Sequence, residues 1–143
     1  MVIVIVGVLA AFVMPKMMSA TGLRDDAWRD AVVSAMRYAQ KSAVSHRRLV
    51  CASVASTSIT LTIASTNPAS SCDATFTGPD GGSTFASASN SSAATTVSPA
   101  GMIYFQPDGR VTTDGSGTTS ADRTLSMYGV SAVVVLGETG YVQ

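Results

Sequence analysis

The chain has 143 residues, nine Lys and Arg against nine Asp and Glu, and a formal net charge of zero. So few charges, evenly balanced, argue against broad electrostatic attraction to nucleic acid or anionic lipid, which needs a basic surplus. The length suits one domain plus an extended element, and Gly, Ser, Thr and Ala far outnumber large aromatics.

The chain opens on an uncharged apolar run from Met1 to Pro15, which holds Val4, Ile5, Gly7, Leu9 and Phe12. A bilayer-spanning helix needs roughly twenty apolar residues, so this run is short for that role. It also lacks the basic start and small-residue cleavage site of a secretory signal. A helix apolar on all faces suits lipid or the core of a filament. Pro15 removes one backbone hydrogen bond and predicts a kink or local opening, and Gly22 adds a second weak point.

From Leu23 the pattern turns amphipathic. Trp28, Ala31, Val32, Ala35, Met36, Ala39 and Ala43 recur at spacings of three and four, which places them on one stripe. Arg24, Asp25, Arg29, Asp30, Arg37 and Lys41 fall mostly off it. The spacing predicts one helix to about Arg47, with Trp28, Val32, Met36 and Ala39 packed on a sheet. Lys41, His46, Arg47 and Arg48 at its end complement the negative pole of the helix dipole. The chain thus divides into an apolar half-helix (1–22), an amphipathic half-helix (23–48) and a β-rich head (49–143).

After Arg48 the period becomes alternating. Leu49 to Val54 is a candidate strand, and Ser58 to Ile63 alternates strictly, with Ile59, Leu61 and Ile63 inward. Ala55 to Thr57 makes the hairpin turn. Ala64 to Ala100 is rich in turn formers and reads as a long surface excursion, with Phe85 and Val97 marking short strands. Gly101 to Gln106 is a strand and Pro107-Asp108-Gly109 a tight turn. Arg110 to Thr112 starts the return, and Asp114 to Gly117 is a loop. Arg123 to Tyr128 and Ser131 to Leu136 are two further strands. The predicted fold class is α+β, a long kinked N-terminal helix on one antiparallel sheet or two small ones.

Four segments carry a resemblance. Val4-Ile5-Val6-Gly7-Val8-Leu9-Ala10-Ala11 followed by Pro15 resembles the N-terminal helix of type IV pilins and type II secretion pseudopilins. Ile103-Tyr104-Phe105-Gln106-Pro107-Asp108-Gly109-Arg110 resembles the F-x-P-D-G-R strand-turn of the GspH/FimT group of minor pilins. Glu138-Thr139-Gly140-Tyr141-Val142 resembles that group's closing T-G-x-V, and the helix around Ala35-Met36-Arg37-Tyr38-Ala39-Gln40 its helical motif. The cysteine pair and the ending look most like MSHA-type minor pilins. The Ser-rich centre matches nothing in the group.

The resemblance implies a type IV pilin-like fold and a non-enzymatic subunit. It implies that Val4, Ile5, Gly7, Leu9, Phe12 and Pro15 serve first as membrane anchor and then as filament core. The implied partners are other pilins or pseudopilins, the inner-membrane assembly platform and membrane lipid. No cofactor is implied, and nucleic acid is not an expected partner. The implied location is the inner membrane with a periplasmic head, then a pilus or pseudopilus. The family's basic leader, cleaved Gly and glutamate-bearing opening have no counterpart in these residues, so processing and N-methylation carry over to none of them. The native gene is therefore expected to extend upstream of Met1. With export implied, Cys51 and Cys72 read as a disulfide, two buried thiols being the alternative.

Other chemistries fit these residues less well. The single His46 sits in a basic helix end, where a solvated or dipole-capping role is the simpler reading, and no nucleophile-elbow motif is present. Asp108, Asp114 and Asp122 do not follow a calcium-loop spacing, and turn chemistry accounts for Asp108-Gly109 and Asp114-Gly115. A DNA-uptake module is the alternative of another class. The tail Gly140 to Gln143 has no cation, so Tyr141 and Val142 are expected to pack at a strand end. A type II secretion pseudopilin is the nearer alternative.

Overall fold

The computed structural model describes residues 2–88 and 94–143, with side chains from Gly22 onward. Helix α1 (Val2–His46) is 45 residues long and continues through Pro15 and Gly22. At 1.5 Å per residue it is about 67 Å in length. It ends at Arg47, whose φ of 51° is left-handed. Arg48 N–H donates to the Ala43 carbonyl at 3.1 Å and Arg47 N–H to the Val44 carbonyl at 3.3 Å. This paired ending usually carries glycine at the left-handed position, and here an arginine holds it.

The strands are β1 (Val50–Val54), β2 (Ser58–Ile63), β3 (Ala74–Phe76), β4 (Ala86–Ser87), β5 (Thr95–Ser98), β6 (Ile103–Phe105), β7 (Val111–Thr112), β8 (Arg123–Met127) and β9 (Val133–Val135). They form a larger sheet in the order β3-β2-β1-β6-β7, with β4 also on β2, and a smaller sheet β5-β8-β9. All pairings are antiparallel, which with the single helix makes the fold α+β.

The period-two pattern explains which face is buried. Ile59, Leu61 and Ile63 alternate inward along β2, and Val50 and Ala52 of β1, Ile103 and Phe105 of β6, and Val133 and Val135 of β9 join them. The helix closes this core with Trp28, Val32, Ala35, Met36, Ala39 and Ala43. Its small residues let β1 and β2 come close beneath it. Cys51 and Tyr104 point to the opposite face of the larger sheet.

There the region after β2 departs from an open excursion. Ala64, Ala69 and Cys72 pack with Leu49, Cys51 and Tyr104 in a second apolar cluster. The disulfide Cys51–Cys72 fastens that cover across 21 residues of sequence. The same region also supplies β3 and β4, both paired to β2, so much of it belongs to the larger sheet. Val97 lies in β5, Phe85 just precedes β4, and residues 89–93 of the Ser-rich run lie outside the described residues.

Candidate functional site

The helix is the element on which the functional reading turns. Val4, Ile5, Gly7, Leu9, Phe12 and Pro15 all fall within α1, and their side chains lie outside the described residues. Among the described side chains the helix first enters the core at Trp28, which is 4% exposed, whereas Leu23 is 71% exposed. Val32, Met36 and Ala39 are fully buried, and Ala31 packs at the stripe's margin.

Trp28 does more than fill volume. Its indole Nε1 donates to Thr95 Oγ1 at 2.8 Å in the interior, which joins the helix to the smaller sheet. A buried indole N–H needs such an acceptor. The flank of the helix then donates to backbone carbonyls at the end of the chain. Arg29 Nε reaches the Ser131 carbonyl at 2.9 Å, Arg37 Nη2 the Val142 carbonyl at 3.1 Å and Gln40 Nε2 the Thr139 carbonyl at 2.8 Å.

The C-terminal residues are themselves part of the sheet. Val134 and Gln143 exchange both backbone hydrogen bonds at 2.9 Å, and Leu136 N–H donates to the Tyr141 carbonyl at 2.9 Å. Strand alternation then sends adjacent side chains opposite ways. Val142 is 1% exposed and Tyr141 is 57% exposed. The expectation that both pack is thus corrected for Tyr141, which faces solvent.

Two sequence-distant turns meet at this point. Gly140 has a φ of 65°, and a Cβ there would run into the Gly109 carbonyl and the Gln40 side chain. Gly109, with a φ of 94°, belongs to the turn closed by Gly109 N–H on the Gln106 carbonyl at 2.9 Å. The Pro-Asp-Gly-Arg turn, the Thr-Gly-Tyr-Val ending and the helix therefore share one contact. Only glycine allows that approach at Gly140.

The aspartates serve their own loops. Asp108 pairs with Arg110 at 2.8 Å. Partial burial works to raise its carboxyl, but the Arg110 hydrogen bonds and charge outweigh that and hold it below the usual range. Asp114 is held low by the Thr118 hydroxyl at 2.8 Å, and Asp73 by the Ser65 hydroxyl and amide. Asp122 accepts from Gly137 N–H at 2.7 Å. Among the described residues no three of His, Cys, Asp and Glu converge as a metal-ligand set. His46 is exposed at the helix end and sits edge-on to Phe76, with ring centres 5.9 Å apart. Tyr38 packs on Phe76 at 5.4 Å and Phe85 at 5.0 Å, which fixes β3 and the approach to β4 against the helix.

Arg123 escaped the sequence reading, which saw only a strand residue. It is 2% exposed, on the inward face of β8. Nη1 donates to the Pro99 carbonyl at 2.6 Å and Nη2 to the Met102 carbonyl at 3.0 Å, so one guanidinium holds both ends of the β5–β6 connection. The register was the available signal, since Arg123, Leu125 and Met127 share one face.

Comparison of the chain with protein-family models, curated proteins and solved structures returns no match. No helix among the described residues is long and apolar enough to cross a membrane.

Proposed function

We propose that this chain is a non-enzymatic subunit of a type IV pilin-like filament, a minor pilin of MSHA-like type acting in initiation or capping. The observation that carries the reading is the division of labour along α1. The amphipathic half supplies one wall of the core from Trp28 to Ala43, and the half before it opens on the uncharged apolar run from Met1 to Pro15, which has no amphipathic stripe. A helix of that kind is stable in lipid while the subunit waits in the inner membrane. It stays stable when neighbouring helices replace lipid in a filament. The meeting of the Pro-Asp-Gly-Arg turn with the Thr-Gly-Tyr-Val ending supports the same reading, since both segments resemble the minor-pilin group.

The head is then held in the periplasm and contacts other pilins, and the assembly platform moves the subunit between the two apolar environments. A charge placed within the Met1–Pro15 run tests this. Leu9→Arg should remove the chain from the sheared filament fraction, because a charge at the centre of an apolar helix costs about 2.5–3.5 kcal/mol in lipid. The head's proteolytic resistance should be unchanged. Normal entry of that variant into filaments would contradict the proposal.

A further inference from the structure

The outward face of the amphipathic half carries a charge pattern of which the fold uses only one donor, on Arg37. Asp26, Asp30, Ser34, Arg37 and Lys41 recur at helical spacing and all are exposed. The acidic pair and the basic pair are each four residues apart, so like charges face like charges within each pair, which destabilises an isolated helix. Among the described residues none of the four has an ion-pair partner. Arg37 spends one donor on the Val142 carbonyl and keeps the rest of its fork. Nor does the neighbouring sequence supply a counter-charge to the basic end, since no acidic residue lies between Asp30 and Asp73. A shallow groove of about 450 Å³ runs along the same face, lined by Asp30, Val33, Ser34, Arg37, Tyr38 and Lys41.

A stripe with segregated signs is complementary to a displaced copy of itself. We infer that this face docks a second copy of the chain, its helix parallel and advanced by eleven residues, so that Asp26 and Asp30 of one copy meet Arg37 and Lys41 of the next. Eleven residues correspond to about 16 Å of axial shift. The small Ser34 at the middle of the stripe lets the two helices approach. The parallel sense rests on the filament reading above. Two copies related by a two-fold axis perpendicular to the helix would run antiparallel and match Asp26 to Lys41 and Asp30 to Arg37 instead.

A carbodiimide distinguishes these arrangements. It activates an Asp carboxylate, the Lys amine attacks, an amide forms, and the reagent departs as its urea with the elements of water. The chain has only two lysines, Lys16 and Lys41. A zero-length link from Lys41 to Asp30 or Asp26 cannot close within one helix, because the residues lie about 16 Å or more apart along it. Isotopically light and heavy full-length chains are mixed in non-ionic detergent, linked and digested. The expected product is a light–heavy link between Lys41 and Asp30. It should be lost at about 1 M salt, where the screening length falls to about 3 Å. Asp30→Lys should abolish it, and adding Lys41→Asp to that variant should restore a link between the same two positions. A dominant link to Asp26, or none from Lys41 to this stripe, overturns the inference. Sedimentation of the full chain without detergent judges the anchor reading separately, since the link is read in micelles whether or not filaments form.

Discussion

Arg123 holds the only buried guanidinium among the described core residues, and its surroundings define what it contributes. Burial pushes its pKa down, and among the described residues no carboxylate pairs with it. Its two carbonyl contacts are the compensation, while Nε finds no partner among the described residues. Removing the side chain strands the Pro99 and Met102 carbonyls and leaves a cavity. Arg123→Ala should therefore cost roughly 2–5 kcal/mol in urea unfolding. Arg123→Met keeps volume and removes a costly buried charge, so it should cost less. Equal midpoints for the alanine variant and the parent would show that the guanidinium does not pin the β5–β6 connection.

At the scale of elements, the helix and its stripe are the strongest link. Trp28 is both a filler of the core and the donor to Thr95, so Trp28→Ala loses apolar burial and a hydrogen bond together. The expected cost is roughly 3–5 kcal/mol, read as a lower thermal midpoint of the head. An unchanged midpoint would mean that the helix is not a wall of the core. This stripe was legible in sequence because helical and strand periods are local and strong. β2 is the clearest case, with its boundaries and its inward residues both set by alternation. The region after Ala64 was less legible. β3 and β4 are three and two residues long, too short for a period to register, and β2 dictates their pairing across the sheet. Tyr141 and Arg123 were misjudged or missed for a related reason. Their exposure depends on register, with Val142 turned inward beside Tyr141, and Leu125 and Met127 sharing the inward face of Arg123.

At the scale of the whole molecule, the head combines two apolar clusters on opposite faces of the larger sheet. The first is closed by the helix, and the second by the loop that the Cys51–Cys72 disulfide fastens. Replacing both cysteines by serine should lower stability by about 3 kcal/mol in the chain-entropy account. It should loosen the 64–72 cover before the main core, so early backbone exchange should appear in that loop. Uniform exchange across the head would count against two separable clusters.

In the proposed function the helix before Leu23 serves assembly, whereas the helix after it serves the fold. Urea unfolding of residues 23–143, set beside assembly of the same deletion, tests this most directly. Every helical member of the core from Trp28 onward is retained in that piece. The shortened chain should be a monomer in sedimentation that unfolds in one cooperative transition, and it should never enter the filament fraction. An aggregated or non-cooperative product would show that the apolar half belongs to the fold. Filaments containing the shortened chain would show that it is not the means of assembly.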